Sequence, residues 1–293
     1  MDIDIEFWGM VLVLVTGIGT LIDKVFFESK RKESLKAFRE EVVAQRNKIS
    51  SEEKAELEEK LSQPVFPLMV CQSLFPVFLI VFMLRSFLVE PFTIPSSSME
   101  PTLYPGDFVL VNKFTYGVRL PVWRTKLIDF NDPQRGDVLV FRYPLNPNIN
   151  YIKRVVGVAG DRIVYDENKQ LFVNGEKVQV SELTYPTRTP YIEGLATLPR
   201  SEAEESRGNG NAIYAHEFRI DKSLPAMRGP LRLPKTWVVP EGHYFVLGDN
   251  RDHSQDSRYW EFVPDRLVVG KAFAVWMHMP NWIPQFHRNG WIQ

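Results

Sequence analysis

Cysteine is nearly absent: the 293-residue chain has one. No intrachain disulfide can form, and every zinc site built on paired cysteines is excluded. Histidine is scarce as well, with five residues, and no HExxH pair occurs, so the usual metalloprotease site is missing. There is no GxxxxGK[ST] loop for nucleotide phosphates and no GxSxG elbow for an exposed serine. Nor is there an excess of one charge. Lys and Arg number 35 against 36 Asp and Glu, a net charge of -1, so the chain lacks the basic field of a dedicated nucleic-acid binder. What remains is ordinary: 44% apolar and 24% charged residues exclude a wholly disordered chain, and the length allows one large domain or two smaller ones.

The apolar residues are bunched. One run, IEFWGMVLVLVTGIGTLI, covers residues 5–22 and is about the shortest that can span a bilayer. A cleaved secretory signal would begin with basic residues. This run is preceded by Asp2 and Asp4 and carries Glu6, with the basic residues after it. A second run, VFPLMVCQSLFPVFLIVFML over 65–84, has no charge. Pro67 and Pro76 would break a soluble helix but are tolerated in a membrane helix. The alternative, a buried core helix, is disfavoured by its length and its lack of a polar face. Between them, residues 23–64 are rich in Glu, Lys and Arg with few helix breakers, which predicts charged helix with Glu–Lys support. The Lys and Arg that flank both runs fall almost entirely on this loop, among them Lys24, Lys30, Arg31 and Lys60. The loop is therefore expected to be cytoplasmic, and everything after the second span exported.

After residue 90 the pattern changes to short β-branched and aromatic runs: FVLVNKF (108–114), DVLVFRY (137–143), YIKRVVGV (151–158), RIVYD (162–166), LFVNG (171–175), WVVP (237–240), HYFVLGD (243–249) and VVGKAFAVWM (268–277). Turn residues separate them, and Asn174-Gly175 is a strong hairpin signal. This predicts a mainly β, antiparallel sheet or barrel-like domain. Residues 181–236 are poorer in such runs and include SEAEESRGNGN (201–211), read as an insertion with a mobile loop. The aromatic end WMHMPNWIPQFHRNGWIQ fits either a lipid interface or aromatic core packing.

Three segments carry chemistry-bearing residues in unusual density. They are FTIPSSSMEPTL (92–103), YIKRVVGVAGD (151–161) and GDNRDHSQDSR (248–258). Lys153 shares a strand face with Tyr151, Val155 and Gly157. Among such neighbours a lysine either snorkels to water or is held with a depressed pKa, and only in the second case can it serve as a base near neutral pH. Ser96, Ser97 and Ser98 read by themselves as a turn or cap, and the third segment as a polar loop. It is not an EF-hand, because its acidic spacing is wrong and the terminal Glu is missing. His216, His243, His253, His278 and His287 stand in no context that marks them.

Taken together, in this order and after two apolar spans, the boxes PSSSM, KRVVGVAGD and GDNRDHSQDSR resemble those of the bacterial type I signal peptidases. RGDVLVFRYP (135–144) looks like a further box of the family. The resemblance covers about 85–165 and 237–280 and the anchor topology. It implies a Ser-Lys dyad in which Ser98 is the nucleophile and Lys153 the general base. Ser254 matches a serine that bonds and orients the lysine, and Ser96 a hydroxyl that joins the Ser98 N–H in the oxyanion hole. Asp249, Asp256 and Arg258 match a supporting polar network. Phe92, Ile94, Pro95, Met99, Leu103, Tyr151 and Ile152 are expected to line shallow apolar pockets, and the edge backbone near 92–96 to pair with the substrate strand. Ser97 departs from the family, where glycine is common.

The resemblance also implies the overall organisation: spans at 5–22 and 65–84, a cytoplasmic loop at 23–64, and an exported catalytic domain at 85–293. Its core is placed at about 85–165 and 237–293, with an inserted subdomain at about 166–236. The expected activity is removal of signal peptides from exported preproteins after small residues at -3 and -1, at the inner membrane on its periplasmic side. The expected partners are signal peptides, the bilayer and the secretion translocon. No metal, cofactor or nucleic acid is called for. Three other readings stay open on the sequence: a peptidase serving one secretion or conjugation system, a non-catalytic anchored β-domain, and a self-cleaving Ser-Lys switch protein.

Overall fold

The computed structural model describes residues 5–44, 50–120, 125–182, 191–198, 214–226 and 233–292. They form two compact units, 1–86 and 87–293.

The first unit is helical. Helix α1 (Ile5–Ile22) passes through a π-helical turn, Asp23–Phe27, into α2 (Glu28–Ala44). Helices α3 (Ser51–Ser62) and α4 (Phe66–Met83) follow. Two of these helical segments are long and apolar enough to cross a membrane, one within Phe7–Val43 and one at Phe66–Leu88. α1 and α4 pack antiparallel, because the contacts run from Gly9–Phe82 through Gly17–Phe75 to Gly19–Cys71. A Cβ on Gly19 would stand 2.6 Å from the Cys71 sulfur, so the close approach needs a residue without one. At the end of α1 the buried Asp23 accepts both Arg31 guanidinium nitrogens at 2.6 Å and the Gln72 amide at 2.5 Å. The charged helices carry the expected i,i+4 pairs, Glu28–Lys32 and Glu56–Lys60. Ser50 and Glu53 close a capping box that starts α3.

Among the described residues the second unit contains seventeen strands. The first six are β1 (Val89–Thr93), β2 (Asp107–Asn112), β3 (Val118–Arg119), β4 (Lys126–Ile128), β5 (Val138–Tyr143) and β6 (Asn146–Gly157). Next come β7 (Arg162–Tyr165), β8 (Leu171–Val173), β9 (Glu176–Lys177), β10 (Gln179–Glu182), β11 (Tyr191–Leu198) and β12 (Tyr214–Asp221). The last are β13 (Lys235–Val238), β14 (His243–Leu247), β15 (Val263–Pro264), β16 (Val268–His278) and β17 (Gly290–Trp291), with a single helical turn α5 (Ser257–Trp260) after β14.

Among the described residues these strands pair with one another only antiparallel. The main sheet runs β1-β2-β16-β5-β6-β14-β15, with β17 beside β16. β1 is an edge strand, which is where Pro91 costs no ladder hydrogen bond. β6 is central, with Lys153 opposite Leu139 on β5. Buried side chains pack against both faces of this sheet, Val109, Val111, Val138 and Val140 in one cluster and Leu139, Phe141, Val155 and Val246 in another. A polar residue in the middle of β6 has little access to water there.

A second sheet, β13-β7-β8-β9, ends in the hairpin read from the sequence: Asn174 and Gly175 both have positive φ, as a primed turn requires. The expected core boundaries at 166 and 237 fall inside this sheet, between β7 and β8 and within β13. A third sheet, β10-β11-β12, occupies the region read as an insertion. The SEAEESRGNGN loop lies outside the described residues. At the C-terminal end Trp282, Ile283, Phe286 and Trp291 are exposed, so aromatic core packing does not account for them.

Candidate active site

Ser98 sits in a single 3-10 turn, Ser97–Met99, between the edge strand β1 and β2. Met99 and Leu103 anchor the segment in the core, with no measurable exposure. The turn is fixed by the loop after β14: Asn250 N–H donates to Ser98 O at 3.1 Å, and the Asn250 amide donates to Ser97 O at 3.0 Å. Gly248 makes this approach possible. A Cβ there would lie 2.5 Å from Ser98 O and 2.5 Å from Ser254 Cβ.

Lys153 reaches the same point from β6. Its Nζ lies 2.6 Å from Ser98 Oγ and donates to Ile152 O at 2.7 Å. The Tyr151 ring centroid is 5.5 Å away on the same strand face. Lys153 is 4% exposed. Burial pushes its pKa down to about 8, partly opposed by the negative charges of Asp256 and Asp249. An amine so placed is neutral for a useful fraction of the time near pH 8, and it can take a proton from the hydroxyl it touches.

Two buried carboxylates stand behind the pair, each clamped by an arginine. Arg154 grips Asp249 with two hydrogen bonds, of 2.9 and 2.8 Å, and Thr102 adds a third at 2.6 Å. Arg258 grips Asp256 at 2.8 and 2.9 Å, and Gly248 N–H donates to the same carboxylate at 3.0 Å. Burial alone would raise both carboxyl pKa values. Arg154 and Arg258 outweigh it and hold them below the ordinary value. The site therefore carries fixed ion pairs around a lysine whose pKa burial brings down to about 8.

The sequence-derived residues fall into place unequally. Ser96 is exposed, with its hydroxyl 3.3 Å from Ser98 Oγ. Ser254 is buried beside Gly248, yet its Oγ makes no hydrogen bond to Lys153. Phe92, Ile94, Met99, Leu103 and Ile152 meet in one apolar cluster. Of these, Ile94, Met99 and Leu103 are core, and surface is left on Phe92, Ile152 and the neighbouring Pro95. Tyr151 belongs instead to an aromatic group in which Tyr143 stacks on it at 4.5 Å.

Arg154, Thr102, Asn250 and His216 are parts of the site that sequence reasoning did not single out. Arg154 was legible: strand alternation puts it on the face opposite Lys153, and a buried arginine needs a carboxylate. His216, on β12, is fully enclosed with its Nε2 3.1 Å from the Arg251 guanidinium. Burial, and then the positive charge of Arg154, push its pKa well below the ordinary histidine range.

A serine hydroxyl touching a buried lysine amine whose pKa is lowered to about 8 is an arrangement suited to nucleophilic hydrolysis. Comparison with known proteins agrees with that class. The chain belongs to the signal peptidase family, peptidase S26, whose family model matches residues 68–277. A signal peptidase I from Pseudomonas fluorescens is 44% identical, with all of both chains covered. One from Pseudomonas aeruginosa is 44% identical over 97% of this chain and 96% of its own. A solved signal peptidase I from Enterococcus faecalis V583 is 30% identical, covering 49% of this chain and 98% of its own, with a TM-score of 0.26. The chain is accordingly an enzyme, a serine endopeptidase that acts on the signal peptides of preproteins, and its two apolar helices fit a membrane-anchored member of the family.

Proposed function

We propose that the chain cleaves preproteins after small residues at -3 and -1, with Ser98 as nucleophile and Lys153 as general base. The observation that carries this reading is the 2.6 Å contact between Lys153 Nζ and Ser98 Oγ at a buried lysine. Ser98 Oγ attacks the scissile carbonyl carbon while its proton passes to neutral Lys153. The tetrahedral oxygen is held by the Ser98 N–H and the Ser96 hydroxyl, each worth about 3 kcal/mol in the transition state. As the C–N bond breaks, Lys153 returns the proton to the leaving amine. A water gives a proton to the same lysine and attacks the acyl carbon; the Ser98 Oγ–C bond breaks, Lys153 returns the proton to Oγ, and the signal peptide leaves with a new carboxyl end. Asp249, Asp256 and Arg258 hold the surroundings of Lys153 in place, and Ser254 packs beside them without a hydrogen bond to the lysine.

Substrate choice follows from shape. The substrate strand adds to the free edge at β1 and the backbone to residue 96. Side chains at -1 and -3 then meet Phe92, Pro95 and Ile152 over a floor of Ile94, Met99 and Leu103, with Tyr151 beside Lys153, a shallow surface that suits small groups. The spans at 5–22 and 65–84 anchor the enzyme, with 23–64 cytoplasmic and 85–293, including the inserted subdomain at 166–236, on the periplasmic side of the inner membrane. The exposed Trp282, Ile283, Phe286 and Trp291 suit a lipid interface. Tethering enzyme and substrate to one bilayer, beside the translocon, raises their effective concentration.

The test is cleavage of a purified preprotein with an A-x-A site by the detergent-solubilised protein, alongside Ser98→Ala and Lys153→Ala. A cut after that site by wild type alone supports the reading. A folded wild type that cuts nothing, or a Lys153→Ala variant at full rate, overturns it.

A further inference from the structure

β12 belongs to the sheet of the inserted region, yet its C-terminal half runs beside the loop that holds the active site. Arg219 N–H donates to Asp249 O at 2.8 Å, and Arg219 and Asn250 form a parallel bridge. Two residues on, Asp221 N–H donates to Asp252 Oδ2 at 2.7 Å. Lys169, just before β8, donates to Asp252 Oδ2 at 2.9 Å and to Asp221 O at 2.6 Å. The loop at 249–252 is thus stitched to β12, and through Asn250 the same loop holds the carbonyls of Ser97 and Ser98.

β12 also reaches the nucleophile's turn directly. The Arg219 guanidinium is ion-paired with Glu100, two residues beyond Ser98. The two side chains are 16% and 15% exposed, so screening by water and salt is weak and the pair is firmer than an open surface one. The backbone bonds of Arg219 and Asp221 form whatever their side chains are. The pair with Glu100 depends on side-chain identity, and it ties the inserted sheet to the turn that carries Ser98.

We propose that Arg219 is a positioning residue: through Glu100 it sets the turn that aims Ser98 Oγ at Lys153 Nζ and at the scissile carbonyl, which gives the inserted sheet a part in catalysis. This rests on the assignment of Ser98 and Lys153. Arg219 touches no reacting atom. Its loss frees one of several attachments of the turn, and misplacement of a nucleophile by 1 Å costs as much as about 100-fold, so a loss of about tenfold in kcat is expected. Phe218, buried in the core on the same strand, and the backbone bonds of β12 keep the fold when the side chain is replaced.

The experiment uses the full chain in detergent with an A-x-A preprotein, and measures kcat, KM and thermal unfolding. The variants are Arg219→Gln, Glu100→Gln, the charge-exchanged double Arg219→Glu with Glu100→Arg, and Ser98→Ala. Each single variant is expected to lose about tenfold in kcat with KM changed by less than about twofold and unfolding unaltered. The double variant is expected to regain most of the rate, which a residue of merely structural importance would not do. Wild-type kcat in either single variant overturns the proposal. So does a fall in kcat that tracks thermal destabilisation and is not rescued by charge exchange. If Ser98→Ala is dead while Arg219→Gln runs at full rate, the positioning role alone fails. If Ser98→Ala still cleaves, the assignment beneath it fails.

Discussion

Lys153 Nζ and Ser98 Oγ lie 2.6 Å apart although 55 positions separate them in sequence. β6 brings the amine through the centre of the main sheet, and the turn after β1 presents the hydroxyl. Burial lowers the lysine pKa to about 8, and the neighbouring carboxylates, each neutralised by an arginine, do not restore it. The contact and the lowered pKa have one cause, the enclosure of β6.

The pH dependence follows. The base must be neutral, so kcat/KM is expected to rise through about pH 8 as Lys153 loses its proton. An initial-rate profile on a signal-peptide substrate checks this. Lys153→Arg, which stays charged, is expected to be inactive across the whole profile.

The enclosure also carries a stability cost. A lysine whose folded pKa is lowered binds fewer protons than in the unfolded chain between the two values, so folding is penalised below about pH 8 and the penalty fades as pH rises towards 10.5. Lys153→Met is expected to be more stable than wild type at pH 7, by up to about 3 kcal/mol, with the gain shrinking above pH 8. Denaturant unfolding at pH 7 and pH 10 measures it.

The Arg154–Asp249 pair is fully buried. Arg154→Ala leaves Asp249 charged without its clamp and is expected to destabilise the protein by about 3–5 kcal/mol. The Arg154→Met, Asp249→Leu double variant is expected to recover much of that in an unfolding titration while remaining slow in cleavage. Because Asp249 is held below the ordinary carboxyl value, its contribution is complete above that value and is lost as pH falls through the lowered one.

Gly248→Ala places a methyl group 2.5 Å from Ser98 O, against backbone that cannot swing away. The turn must shift, and kcat is expected to fall by about 100-fold or more with a destabilisation of about 1–3 kcal/mol. Steady-state kinetics and a melting curve of the same preparation separate the two effects.

The main strands were legible because their β-branched and aromatic runs are dense and bounded by turn residues, as in β5, β14 and β16. β1 escaped notice because Glu90 and Pro91 break its pattern, and only its edge position makes them acceptable. β11 and β12 were missed for another reason. Glu193, Glu217, Arg219 and Asp221 dilute their apolar residues, so neither strand shows a dense β-branched run. Of the site, neither Ser98 nor Lys153 is marked by its own neighbours, since proximity across 55 residues is a property of the fold. The ordered set of boxes pointed to them through the family. Arg154 was within reach of strand alternation alone. Arg219 was not, because its partner Glu100 is 119 residues away and no motif joins them.

The central claim is that Ser98 carries the acyl group during turnover. The most direct measurement is rapid acid quenching of the enzyme with a signal-peptide ester, followed by mass spectrometry of its proteolytic fragments. The account expects the acyl mass on the fragment containing Ser98 and none in Ser98→Ala. An acyl group found elsewhere, or full turnover in Ser98→Ala, would contradict it.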